Sequence, residues 1–343
     1  MSVTLDNSEN RTAGWLRNAK FDFWFIAGIT IIGIVSGLIV TMYPALFLPI
    51  LLLDIWLLGY QHVVSTYTRL CFDKKSFQEN KFLVVWLPLI CFAAVTLIGK
   101  TAGIWALTSI YFYWQWFHYT RQSWGVSQAY RRNESDLVVD TESFSKWVMY
   151  SVPATGILYR VYQSPDKYLG VELWTPEIPF FVVAISAAIS IATVSLWAIK
   201  RIQQFMAGQL AVAHTAYVVS HIAIFAFGYI LIEDITYGWL AINIWHNAQY
   251  IMFVWLFNNK RYDKKIDANP TFIAKLSQSE NWKKYIFICV LLSSAIYLGL
   301  ESAEPLFAVV GLAPMIIIYQ TINFHHYIVD SIIWKSKKKP AKA

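Results

Sequence analysis

Charge is scarce in this chain. Only 14% of its 343 residues are Asp, Glu, Lys or Arg, against about 25% in ordinary soluble domains. With 57% hydrophobic residues, it lacks the polar surface that a water-soluble fold of this length requires. Thiols are scarce as well. Cys71, Cys91 and Cys289 are scattered and form no C-x-x-C, which leaves neither a disulfide framework nor a thiolate zinc site. There is no Gly-x-Gly-x-x-Gly dinucleotide motif, so electrons for any redox chemistry must come from outside or from the substrate. The N-terminus is polar over about 20 residues and has no small-residue cleavage site, so it does not read as a removable signal peptide. The net charge of +7 does not indicate nucleic-acid binding, because the basic residues sit in short loops between apolar runs.

Those apolar runs dominate the chain. They cover residues 21–43, 45–70, 82–99, 103–129, 146–162, 178–200, 209–231, 236–258, 283–300 and 306–334. Each is near or above the roughly 20 residues that cross a bilayer, 146–162 being the shortest. Sixteen Trp and 20 Tyr suit the aromatic belts of a multi-pass membrane protein. Basic clusters follow every even run: Lys74–Lys75, Arg131–Arg132, Lys200–Arg201, Lys260–Arg261 and Lys337–Lys339. The odd-to-even connections are short or acidic, as at Tyr43–Pro44, Glu233–Asp234 and Glu301 to Pro305. By the positive-inside rule both termini face the cytoplasm. The expected architecture is all-α: a polar cytoplasmic segment 1–20, a single transmembrane bundle of about ten spans over 21–334, and a basic cytoplasmic tail 335–343. Its solvent is the lipid bilayer, in a bacterium the inner membrane.

Six of the seven histidines lie at nearly one depth in that frame. His62 precedes Lys74–Lys75 by 12 residues, His118 precedes Arg131–Arg132 by 13, and His214 follows Arg201 by 13. His246 precedes Lys260–Arg261 by 14, while His325 and His326 precede Lys335 by ten and nine. Such separations correspond to roughly 14–21 Å along a helix, between the cytoplasmic leaflet and the midplane. His221 lies seven residues beyond His214 on the same helical face. One intramembrane imidazole often only bridges two helices. Six at matched depth on five spans point to a shared site, because ionisable groups inside hydrocarbon are costly unless something uses them.

Polar neighbours recur at helical spacing. Thr66 and Arg69 follow His62 at i+4 and i+7, Arg121 and Gln122 follow His118 at i+3 and i+4, and Gln249 and Tyr250 share a face with His246. Asn323 and Asp330 flank His326 at i−3 and i+4. Metal-bound imidazoles need such groups, because their second nitrogen donates to an oxygen. The candidate ligands are therefore His62, His118, His246, His325 and His326, then His214 and His221, with Asp330 as orienting partner or ligand. Arg69, Arg121, Gln122 and Tyr250 complete the site as substrate-holding or supporting groups. Imidazole and carboxylate without thiolate favour non-haem iron, as one ion or two, with zinc or copper as other choices. Two facing histidines could instead clamp a haem, with Arg69 and Arg121 on its propionates.

At class level, a membrane bundle studded with histidines resembles the membrane iron oxygenases of lipids and pigments, the desaturase and hydroxylase group. It departs from them in having no H-x-x-x-H and no H-x-x-H-H, only the adjacent His325–His326. In plan it is also similar to the Brp/Blh-type carotenoid-cleaving enzymes, which set single histidines on several membrane helices. The fragments concerned are Gly-x-x-His at Gly59 to His62, Phe-His at His118, and His…Asp at His326 and Asp330. The resemblance implies oxidation of a lipophilic small molecule, with an external electron donor. The alternatives are a bis-histidine haem electron-transfer protein and a proton or metal-ion transporter using His214, His221 and Glu233–Asp234 as a path.

Overall fold

The computed structural model describes residues 14–138, 140–262, 270–302 and 314–334, which are almost entirely helical. The ten long helical stretches among them are α1 (Ala19–Met42), α2 (Pro44–Leu70), α3 (Phe82–Thr101), α4 (Ile104–Asn133) and α5 (Glu142–Gln163), then α6 (Phe180–Met206), α7 (Val212–Leu231), α8 (Ile235–Tyr262), α9 (Ser279–Ser302) and α10 (Pro314–Ile333). Residues 1–13 of the expected N-terminal segment, the connection 303–313 and the basic tail 335–343 lie outside the described residues.

Six of these stretches, α1, α2, α3, α6, α7 and α9, are long and apolar enough to cross a membrane. The other four carry more polar side chains. On α4 the buried residues include Gln115, His118 and Thr120, and on α8 they include Asn243, His246, Asn247 and Gln249. Apolar side chains take the opposite position. On α6, Phe181, Ile185, Ile191 and Phe205 are all more than half exposed. Polar residues inside and bulky apolar residues outside are what a hydrocarbon solvent selects.

The chain gathers into two compact units, comprising residues 1–42, 119–164 and 176–245 in the first and 43–118, 165–175 and 246–343 in the second. The division falls within α4, after His118, and within α8, before His246.

Buried charges tie the helix ends of the first unit. Asp22 is fully buried and accepts from the backbone N–H groups of Leu16 at 2.9 Å, Arg17 at 3.0 Å and Asn18 at 3.2 Å, and from the Tyr130 hydroxyl at 2.5 Å. Glu134 accepts from the N–H groups of Ala213 and His214, which satisfies donors that the start of α7 cannot pair internally. At the far end of α7, buried Arg160 donates to the carbonyls of Ile232 and Glu233. Arg201 pairs with Asp140 at 2.5 Å. Helices α1 and α8 approach closely at Gly33, where an added Cβ would stand 2.7 Å from the Ala241 carbonyl oxygen.

In the second unit α9 runs antiparallel to α2. Tyr297 stacks on Tyr60 and Ser294 accepts from the Trp56 indole, while Tyr285 meets Thr68 a few turns away. Helix α10 packs on α3 through Leu83, Leu87, Cys91 and Val329, with Leu70 of α2 in the same cluster. A short antiparallel hairpin, β1 (Lys167–Tyr168) and β2 (Val171–Glu172), lies between α5 and α6. Its Tyr168 is buried and donates to Gln115 at 2.8 Å, so the hairpin is anchored on the first half of α4.

Candidate metal centre

Four imidazoles converge in the second unit. His62 from α2, His118 from α4, His246 from α8 and His326 from α10 are each at most 5% exposed. Their rings touch: centroids are 4.4 Å apart for His62–His326, 4.8 Å for His62–His246, 5.1 Å for His118–His326 and 5.2 Å for His118–His246. The Nε2 atoms of His62 and His326 face each other at 2.6 Å. Asp330, one turn beyond His326, brings Oδ2 to 3.5 Å from the His326 Nε2.

Ligand-capable atoms form two overlapping sets, His62–His118–His246 and His118–His326–Asp330, each with its atoms within 4.8 Å of one another. Bonds of about 2.0–2.1 Å from nitrogen to a first-row ion bring ligand atoms on opposite sides of the ion to roughly 4 Å, and adjacent ones closer. Each set is therefore of a size to hold one ion after sub-ångström adjustment. Oxygen donors stand behind the rings. The Tyr250 hydroxyl donates to Asp330 Oδ1 at 2.6 Å and lies 2.8 Å from Thr66 Oγ1, which in turn lies 3.4 Å from His326 Nδ1. Tyr250 also packs tilted against the His62 ring at 4.1 Å, and Tyr327 stacks on His118 at 4.2 Å.

The remaining sequence candidates are not members of these two sets. His325 turns toward α3, where Nε2 meets the Leu83 carbonyl at 2.7 Å and Nδ1 the Tyr67 hydroxyl at 3.4 Å. His221 belongs to the first unit, with Nδ1 2.8 Å from Ser123 Oγ and Nε2 2.7 Å from the Met149 carbonyl. Both of its nitrogens are thus engaged, as in a histidine that holds helices together. His214, also in the first unit, is buried beside the start of α7 with no hydrogen bond at either ring nitrogen among the described residues. Arg69 donates to the Ile333 carbonyl at 2.5 Å and lies between the Phe257 and Trp334 rings, 4.2 and 3.9 Å from their centroids. Arg121 and Gln122 are partly buried on the first-unit half of α4.

One polar group escaped the sequence reading. Asp54 is a carboxylate 3% exposed in the middle of α2, and Asn247, next to His246, reaches it at 3.4 Å. In a regular α-helix, Asp54 and His62 would point about 80° apart. The π-helical turn Ile55–Gly59 inserts one residue between them and cuts the angle to about 20°. The same inserted turn turns both side chains inward.

Comparison with family models, with curated proteins and with solved structures yields no match. The functional reading therefore rests on the site.

Proposed function

We propose that this chain is a multi-pass membrane metalloprotein of ten spans with both termini cytoplasmic, and that it oxidises a lipophilic substrate at a non-haem iron centre. His62, His118, His246, His326 and Asp330 would hold the iron. The observation that carries this reading is the convergence of four buried imidazoles and one carboxylate from four separate helices. Desolvating five such groups together is costly unless a cation binds them. A set rich in nitrogen, with one carboxylate and no thiolate, is the donor chemistry of non-haem iron.

Iron at such a set supplies one-electron chemistry and activation of dioxygen. The chain's own residues do the rest. Thr66 and Tyr250 fix His326 and Asp330 in position through hydrogen bonds, as the outer partners of metal ligands do. Tyr250 and Tyr327 wall the rings off from water, which protects reactive chemistry from side reactions. The apolar outer faces let a lipid-soluble substrate approach from the bilayer.

The test is metal analysis of detergent-purified protein prepared without chelators, together with its visible and EPR spectra. Stoichiometric iron in the wild type, lost in His62→Ala and His246→Ala variants that remain monodisperse, supports the assignment. Metal-free wild type, or variants that keep full metal content, would overturn it.

A further inference from the structure

The iron reading needs electrons, and the second unit contains an aromatic route by which they can enter. Resting on that reading, we propose that Trp334 and Tyr250 carry single electrons from the cytoplasmic end of α8 and α10 to the histidine centre, delivered by an acidic one-electron carrier.

The route consists of short steps. Trp334 follows the last residue of α10 and is partly exposed. Its indole stands edge-on to the buried Tyr250 ring at 6.2 Å, and Tyr250 lies 4.1 Å from His62 and 5.5 Å from His326. Phe253 and Phe257 pack around Trp334 at 5.2 and 5.4 Å, so π-systems run without a break from the helix end to the ligands. Arg69 covers the indole at 3.9 Å. A fixed cation there opposes positive charge on the ring, so the electron tunnels through Trp334 without oxidising it. In each transfer the carrier loses one electron and the centre gains one; no bond forms or breaks and no proton moves.

The partner's chemistry follows from the surface at this end. Lys74, Lys75 and Lys260 are exposed, while Arg261 at the end of α8 pairs with Asp73 at 3.5 Å. The Tyr262 hydroxyl donates to Asp73 at 3.0 Å, which ties the end of α8 to the end of α2. Arg69 does the same between α2 and α10. A cationic patch next to the exposed end of a redox route attracts an acidic carrier and speeds its encounter.

The experiment uses full-length, iron-loaded, oxidised protein in detergent, mixed in stopped flow with a reduced acidic [2Fe–2S] ferredoxin and, separately, with a lipid-soluble quinol. Iron content and EPR line shape are recorded first for wild type, Trp334→Leu and Trp334→Phe. The relay predicts that Trp334→Leu slows reduction by the ferredoxin at least about tenfold, that Trp334→Phe loses less, and that the quinol rate changes little in either. It also predicts that the ferredoxin rate falls steeply with added salt. Unchanged ferredoxin rates in Trp334→Leu with full iron would overturn the relay and leave the iron centre standing. Equal slowing by both reductants would mean damage to the centre and would also overturn it. A wild type without iron would remove both. A salt-independent rate would overturn the acidic carrier.

Discussion

His62 and His326 are 264 residues apart in sequence, yet their Nε2 atoms face each other at 2.6 Å deep in the second unit. Two imidazole nitrogens this close must share one proton or one cation, since two lone pairs repel. Asp330 sits one turn along from His326 and faces the same point. Replacing it by Asn keeps the size and an oxygen for Tyr250 while removing the charge. Iron affinity of Asp330→Asn should fall by at least about tenfold, measured by competition with a chelator of known affinity. An unchanged affinity would exclude Asp330 from the centre.

Metal removal should destabilise the protein by mass action. A ligand at a hundred times its Kd stabilises the state that binds it by about 2.7 kcal/mol. Chelator treatment should therefore lower the unfolding temperature of wild type in detergent by several degrees, and iron should restore it. The His246→Ala variant should not respond to either. Equal sensitivity in both would show that the ion binds somewhere else.

Arg160 links α5 to the end of α7 by donating to the carbonyls of Ile232 and Glu233 while itself 1% exposed. Methionine at this position fills the same space without donors. Hydrogen bonds from a charged group are worth about 1.5–3 kcal/mol each, and the carbonyls would be left buried without them. Arg160→Met should thus cost at least about 2 kcal/mol in thermal or denaturant unfolding, with metal content unchanged in the folded fraction. Its position in the first unit makes it a control for the histidine variants.

How much of this was visible in the sequence depends on the dimension concerned. Apolar run length gave the positions of the long helices, because about 20 consecutive apolar residues are what a membrane-crossing helix needs. Spacing from the basic clusters grouped six histidines, and the structure brings four of them, His62, His118, His246 and His326, together. The direction in which a side chain leaves its helix was not legible. His325 and His326 share a depth but leave the helix about 100° apart, and only His326 faces the other ligands. His214 met the spacing criterion yet belongs to the first unit, as does His221, which lies two turns further along the same face, since spacing does not say which helices are neighbours. Asp54 was missed because its alignment with His62 depends on the π-helical turn Ile55–Gly59, which no periodicity of 3.6 reveals.

Asp73 gives a pH test outside the long helices. It caps the short helix Lys74–Glu79, accepting from the Ser76 N–H at 2.9 Å, and it also accepts from the Tyr262 hydroxyl and lies 3.5 Å from Arg261. Partial burial pushes its carboxyl up, but the donors from Ser76 and Tyr262 and the charge of Arg261 outweigh burial and hold it below the usual 3.8. The folded state thus favours the ionised form. Its contribution is complete above the ordinary carboxylate range and is lost as pH falls through the depressed folded value. Removing such a cap costs about 1 kcal/mol. Asp73→Ala should lower the unfolding temperature at pH 7, and the gap between variant and wild type should narrow toward pH 3. A gap that stays constant over that range would show that the capping charge contributes nothing, and that Asp73 acts only through packing.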